Sequence, residues 1–380
     1  MSENKAVNVM TVCHITQSFY NPLYSIQFDK MRDNGLDVIA FNFLNKENQI
    51  ELIQRDYLYS VKPYSNLDRF FFLIKEKKVL SELDAFLAQK QVDLLHAHTL
   101  FSSGYLAYCV SEKYGTDFVV SVRNTDINHF FKKRIFLRRL GIRILKKAKK
   151  IIFISENAKD ELLEKYVDAK DVFDIESKSV VCTNGIADFW LKNKTLRQRD
   201  DNSNIKILYF GDINTNKNLL HTVKACDILQ SRGFNVKYTV IGKISDPKLW
   251  KQISRKYIEY HDFMDKEELI DYIRCNDIFV MPSFSETIGL SYLEAMSQGL
   301  PVIYTRGQGF DGLFEEGCVG YSVDPTNETE ISDKIQRIIE EYEKMSLNSY
   351  QQVDLFDWDN IVEKLVKVYL SVAEEKNESY

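Results

Sequence analysis

No stretch of the 380-residue chain approaches the apolar length of a membrane-crossing helix, which takes about 20 consecutive residues. The opening residues MSENKAVNVM hold no basic segment followed by an apolar one, so no secretory leader is expected. The six cysteines (Cys13, Cys109, Cys182, Cys226, Cys275, Cys318) form no C-x-x-C and no Cys/His cluster of metal spacing. Free thiols in a reducing, cytoplasmic compartment are therefore expected. A chain of net charge −5 without an aromatic-and-basic binding motif also gives no reason to expect a nucleic-acid partner.

With 44% hydrophobic and 28% charged residues, the composition is that of a globular protein. The length suits two domains of about 150–200 residues better than one core. Charge is unevenly spread: residues 1–190 carry +3 and the remainder −8, so the two halves are expected to meet different partners.

Short β-branched runs alternate with helical patterns. Strands are predicted at 8–15, 37–43, 92–96, 117–122 and 150–154, with helices at 23–34, 75–90 and 104–114. The rhythm restarts with strands at 205–210, 236–241, 278–281 and 301–304 and helices at 219–232, 266–275 and 290–298. This βαβ alternation predicts α/β architecture with parallel, doubly wound sheets. The polar stretch 192–204 has no apolar periodicity and separates the two series. Ile361, Leu365, Val368, Tyr369 and Val372 predict a final helix, with residues 374–380 expected to fray.

The stretch Met281–Pro301, MPSFSETIGLSYLEAMSQGLP, concentrates the chemistry. A buried strand ends at Pro282, a small polar loop follows, and Gly289 opens a helix. Ligands of open parallel sheets bind beyond the carboxyl ends of strands. A helix N-terminus there offers free backbone N–H groups to a phosphate. Glu286 in the loop and Glu294 within the helix can accept hydrogen bonds from paired sugar or ribose hydroxyls. Taken alone, two glutamates at this spacing are more often solvated surface carboxylates.

The residues Pro282, Ser283, Glu286, Gly289, Leu290, Glu294, Ala295, Met296, Gly299, Pro301 and Val302 reproduce a known pattern. It resembles the E-x7-E signature of retaining glycosyltransferases, particularly glycosyltransferase family 4. Phe210-Gly211 with Lys217-Asn218 resembles the family's phosphate-binding strand-loop, and Gly307–Gly309 its glycine-rich donor loop. Gly320-Tyr321 with Pro325, and Phe356-Asp357-Trp358, match its later marks. His96-Ala97-His98, Ile154-Ser155 and Asn184-Gly185-Ile186 match weaker marks of the first domain.

The resemblance implies the GT-B fold, with two Rossmann-like domains facing a cleft. Residues 1–190 would form the acceptor-binding domain, 191–356 the nucleotide-sugar domain, and 357–380 a helix packing back on the first domain. The activity implied is retaining, hexosyltransferase-type glycosyl transfer, with a nucleotide-sugar as donor substrate and no other cofactor or metal. Glu286 would hold the transferred sugar and Glu294 the ribose. Gly211, Thr287, Gly289 and Leu290 would line the diphosphate, and Lys217 would neutralise it. Glu286, Lys217 and His98 are the catalytic candidates. The acceptor would be a glycan or lipid-linked precursor of a surface polysaccharide.

Four departures bear on this assignment. Thr287 replaces a glycine, and Asp212 replaces the arginine of the phosphate loop. Arg123-Asn124 replaces a histidine-glycine, and Phe19-Tyr20-Asn21-Pro22 replaces a double glycine. Tyr20, Asn21, Arg123 and Asn124 are accordingly the acceptor-binding candidates, with Arg123 also a substitute phosphate clamp beside Lys217. A donor-isomerising epimerase of the same fold and a non-catalytic sugar-binding homologue are the competing readings.

His96 is expected in the core and His98 either in the cleft or bonded to a loop carbonyl. Residues 130–150 hold ten Lys and Arg and no acid, interleaved with Phe131, Ile135, Leu140, Ile142 and Leu145. They are a candidate surface for an anionic membrane at its inner face, or an ordinary helix with a solvated basic side. Asp357-Trp358-Asp359 is read as a helix start rather than a metal motif.

Overall fold

A computed structural model describes residues 9–50, 54–196, 198–199 and 204–377. The chain forms two compact units. The first runs to Ile154, resumes over Ala158–Thr183 and includes the stretch from Trp358; the second holds Ser155–Asn157 and Asn184–Asp357.

The first unit contains seven strands: β1 (Thr11–Thr16), β2 (Asp37–Asn45), β3 (Leu58–Tyr64), β4 (Leu94–Ala97), β5 (Phe118–Val122), β6 (Lys150–Phe153) and β7 (Ser179–Val181). They pair in parallel in the order β3-β2-β1-β4-β5-β6-β7. β4 and β5 are buried along their whole length, as befits parallel strands covered on both faces. Phe41, Phe43, Val79, Leu106 and Ile144 belong to the core cluster on one side. On the other, Trp358, Ile361, Leu365 and Tyr369 of the terminal helix Trp358–Asn377 pack with Val12, Phe28 and Val38. Lys30 and Asp359 tie this helix to Pro22–Asp33 at 2.8 Å.

The second unit contains β8 (Asn204–Phe210), β9 (Asn235–Ile241), β10 (Ile258–His261), β11 (Ile278–Val280), β12 (Val302–Thr305) and β13 (Gly320–Val323). Its parallel order is β10-β9-β8-β11-β12-β13.

The structure departs from the sequence reading in three places. Residues 184–190 belong to the second unit, where the Ile186 N–H donates to Phe356 O at 2.8 Å and Trp190 is buried. The terminal helix is not frayed from residue 374 but continues to Asn377, with Glu375 paired to Lys150 at 2.7 Å. Within the expected elements, residue 8 and residues 378–380 lie outside the described residues, as do 197 and 200–203 of the polar stretch. The basic stretch is not one amphipathic segment. A π-helical turn (Asp126–Phe131), a 3-10 turn (Ile135–Leu137) and a helix (Arg138–Lys147) precede β6. Phe131, Leu140 and Leu145 join the core, and Lys132, Lys146, Lys147 and Lys150 are paired with acids.

Candidate active site

The strand order of the second sheet reverses between β8 and β11, which places the loops after these strands side by side. Such a reversal opens a crevice at the carboxyl ends of the strands. After β8, Gly211 adopts φ +140° and its N–H donates to Ile241 O at 3.0 Å. The chain then turns through Asn214, whose side chain accepts from the Lys217 N–H at 3.2 Å. Asn218 starts the helix Leu219–Ser231 at φ +57°, the one non-glycine with positive φ among the described residues. Asparagine tolerates that conformation better than most residues. Its amide donates to Pro282 O at 2.9 Å and Pro325 O at 2.6 Å, fastening the β8 loop to the β11 loop.

After β11 the chain enters the loop that carries Glu286. The Phe284 N–H donates to Asn216 O at 2.8 Å, and the Asn216 side chain donates to Ser285 O at 2.9 Å. These bonds hold the two loops together, and the Lys217 ammonium meets the Glu286 carboxylate in an ion pair. Both side chains retain a minority of their surface, 22% and 16%, so the pair is reachable from solvent. Gln308, in the segment Gly307–Gly309, accepts from the Glu286 N–H at 3.0 Å. Gly309 lies against the Thr287 carbonyl so closely that an added Cβ would fall 1.5 Å from its oxygen. Asn157 holds the same segment through Gln308 O at 2.8 Å and Asp311 O at 2.7 Å.

Gly289, at φ +73°, opens the helix Leu290–Ser297. A side chain there would strike the Tyr292 ring at 2.6 Å. Glu294, half-buried on this helix, accepts from the Trp190 indole. Burial pushes its carboxyl up to about 7, with the Trp190 hydrogen bond pulling the other way. Asp212 does not pair with Lys217. It accepts from Ser245 Oγ at 2.5 Å and Asn214 Nδ2 at 3.0 Å. These bonds, with Lys243 and Lys217 nearby, hold it below the usual carboxylate range.

Two family profiles match the chain, one in each half: "Glycosyl transferases group 1" over residues 193–352 and "Glycosyltransferase Family 4" over residues 31–176. The chain belongs to the family 4 glycosyltransferases. It is 26% identical over 304 residues to a D-inositol 3-phosphate glycosyltransferase of Paenarthrobacter aurescens, covering 74% of each chain. Its fold is similar to that of sucrose-phosphate synthase from Thermosynechococcus elongatus. The TM-score there is 0.75 at 16% identity, covering 96% of this chain and 100% of the other. The Anabaena protein HepE, solved in complex with UDP, gives a TM-score of 0.71 at 15% identity, covering 95% and 100%. The fold class is that of the GT-B glycosyltransferases.

The first unit of this glycosyltransferase carries the remaining candidates. Its sheet reverses between β1 and β4. Tyr20 is exposed after β1, and Asn21 caps the following helix by accepting from the Leu23 N–H at 3.1 Å. Arg123 Nε donates to His98 O at 3.2 Å, and Asn124 is half-buried beside it. His98 itself is fully buried, which corrects its assignment as a catalytic group. Its Nε2 lies 2.9 Å from His14 Nδ1 and its ring stacks on His96 at 4.1 Å. His96 bonds Tyr369 Oη at 2.6 Å and Ser121 Oγ at 2.8 Å. Among the described residues these three histidines are the one group with ligand atoms close enough for a metal ion. Both nitrogens of His96 are engaged by hydroxyls and His14 Nδ1 faces His98 Nε2, whereas His14 Nε2 and His98 Nδ1 are buried without a hydrogen-bond partner.

Sequence reasoning missed Gln308, Trp190 and Asp126. Gln308 stands between two glycines already singled out. Trp190 fell on the wrong side of the expected domain boundary. Asp126 accepts from the backbone N–H groups of Arg123 at 2.9 Å, Leu100 at 3.1 Å and Phe101 at 3.2 Å, binding the β4 and β5 loops into one piece.

Proposed function

We propose that this glycosyltransferase moves a hexose from a nucleotide-sugar to a glycan or lipid-linked acceptor. Transfer retains the anomeric configuration and uses no metal or other cofactor. The meeting of Lys217 and Glu286 at the strand reversal, beside the helix opened by Gly289, carries this reading. Charge builds on the diphosphate as the bond from C1 to the leaving oxygen breaks. The Lys217 ammonium and the free N–H groups at Gly289 and Leu290 stabilise that charge electrostatically. Glu286 accepts hydroxyls of the transferred sugar and Glu294 those of the ribose. A diphosphate oxygen takes the acceptor's proton as the new C1–O bond forms on the same face. Arg123 is the proposed second cation, in place of the family arginine that Asp212 replaces.

Tyr20, Asn21 and Asn124 help to seat the acceptor. The proposed setting is surface polysaccharide synthesis at the cytoplasmic face of a membrane. No helix among the described residues is long and apolar enough to cross one. Support for peripheral contact comes from the exposed Ile135 and Phe136 within the basic stretch. The fold neighbour solved with UDP supports a nucleotide-sugar donor.

The test is a thermal-shift screen of nucleotide-sugars followed by product analysis. At 100 times its Kd a true donor adds about 2.7 kcal/mol of stability. An α-linked product from an α-linked donor is expected by NMR. Inversion, or donor isomerisation without transfer, would overturn the reading.

A further inference from the structure

Within the first unit, a cavity of about 280 Å³ is lined by Arg69, Lys75 and Arg134 and by the hydroxyl-bearing Thr99, Ser102 and Thr125. Lys75 is 8% exposed. Its ammonium donates to Glu76 Oε1 at 2.9 Å and Ser102 Oγ at 3.1 Å, and lies 5.1 Å from the Tyr64 ring centre. The one carboxylate in the lining, Asp126, is engaged by three backbone N–H groups. Arg69 and Arg134 form no ion pair among the described residues. With Lys75 paired to Glu76, Arg69 and Arg134 against Asp126 still leave the cavity a surplus of positive charge, with hydroxyl groups beside it. Arginine's planar fork suits phosphate oxygens.

Phe72 lines this cavity and also a neighbouring groove of about 640 Å³. That groove is formed mainly by Phe70, Phe71, Leu73, Ile74 and Phe136. These side chains are 79%, 63%, 59%, 52% and 74% exposed. A contiguous apolar surface of this kind marks an interaction site. Arg143 also lines the groove, and Lys133 and Arg139 are exposed in the same acid-free stretch. None of the three forms an ion pair among the described residues.

We propose that cavity and groove form one site for an amphiphilic phosphate. The phosphate headgroup enters between Arg69, Lys75 and Arg134. The hydrocarbon lies along Phe70, Phe71 and Phe136, and Phe72 stands at the junction. The inference rests on the acceptor reading above and commits it to a lipid phosphate. A soluble sugar would leave the apolar groove uncovered. A featureless anionic surface would make no use of a buried lysine and its hydroxyl neighbours.

The test is sedimentation with phosphatidylcholine vesicles, without donor, so that its outcome is independent of donor turnover. Vesicles contain either phosphatidic acid or charge-matched phosphatidylserine. Wild type is expected to pellet at least tenfold more strongly with phosphatidic acid. Arg69→Gln with Arg134→Gln should abolish that preference. Phe70→Ser with Phe71→Ser should weaken binding to both vesicles at least fivefold. All four positions lie outside the buried core, and circular dichroism checks that each variant folds. Equal binding of wild type to both vesicles would reduce the site to a basic surface and overturn the proposal. Thermal stabilisation by glycerol 3-phosphate without vesicle binding would assign the cavity to a soluble phosphate and overturn it equally.

Discussion

Lys217 and Glu286, 69 residues apart in sequence, form an ion pair between the loops that follow two neighbouring strands. In the proposed reaction each has a different partner: the lysine a phosphate, the glutamate a sugar. A donor must therefore enter between them, exchanging one ion pair for two new interactions.

Glu286→Gln separates these roles. The amide still fills the space and still accepts a hydrogen bond, so donor affinity is expected to change less than about threefold. The carboxylate's stronger hydrogen bonds to a sugar gaining positive charge are lost, and kcat should fall about 100-fold, or ~2.7 kcal/mol in the barrier. Steady-state kinetics alongside donor titration measures both. An unchanged kcat would remove Glu286 from the reaction.

Glu294 gives a pH signature. Its folded pKa of about 7 lies above the carboxyl's ordinary value because of burial, so the free protein takes up a proton that the unfolded chain has released. The stability this contributes is full below the ordinary carboxyl pKa and is lost as pH rises through 7. Glu294→Gln should therefore melt near wild type at pH 5 and above it at pH 8. Donor binding runs the opposite way, because ribose hydroxyls favour the ionised carboxylate. Wild-type donor affinity should rise between pH 6 and pH 8, and Glu294→Gln should flatten the profile. Parallel pH profiles for the two proteins would refute the ribose assignment.

Much of the second unit is legible because its strands are short, apolar and bounded by turn residues, and because Gly289 and Glu294 fall at fixed offsets after one of them. The edge strands were not predicted. β3, LYSVKPY, is partly exposed and contains Pro63, so it has neither an apolar run nor clean alternation. The basic stretch misled for a related reason. Its apolar residues serve two surfaces: Phe131, Leu140 and Leu145 face the core while Ile135 and Phe136 face outward. One periodicity cannot describe both. His98 lies just past the end of β4, yet its side chain falls on the same side as that of His96, because residues two apart in an extended chain share a face. The structure stacks it on His96. The contacts of Gln308, Asn157 and Trp190 link segments far apart in sequence, where no local pattern reports them.

Gly309→Ala tests whether the glycine-rich segment shapes the donor site. The new Cβ would meet the Thr287 carbonyl backbone, which cannot swing aside as a flexible side chain would. The segment must lift, and Gln308 would withdraw from the Glu286 N–H. Overpacking of this kind costs about 1–3 kcal/mol. The expected result is donor binding weakened at least tenfold with a modest fall in melting temperature. Normal donor affinity would separate Gly307–Gly309 from the site.

The histidine core predicts how acid acts on the first unit. Burial lowers His14 to about 3 and holds His96 and His98 well below the ordinary imidazole value. Each gains a proton readily only on unfolding, so their stabilisation is present above pH 6.5 and lost as pH falls below it. Asp126 and Glu76, whose carboxyls burial raises, work against this over part of the range. Three imidazoles against two carboxyls leave a net loss of stability as pH falls from 6 to 5. Trp358 lies in this unit's core, whereas Trp190 and Trp250 lie in the second unit. In a Trp190→Phe, Trp250→Phe background, Trp358 fluorescence reports unfolding of the first unit alone. Its urea midpoint should drop on going from pH 7 to pH 5. A midpoint that holds or rises over that interval would mean that the histidines are not neutral core residues.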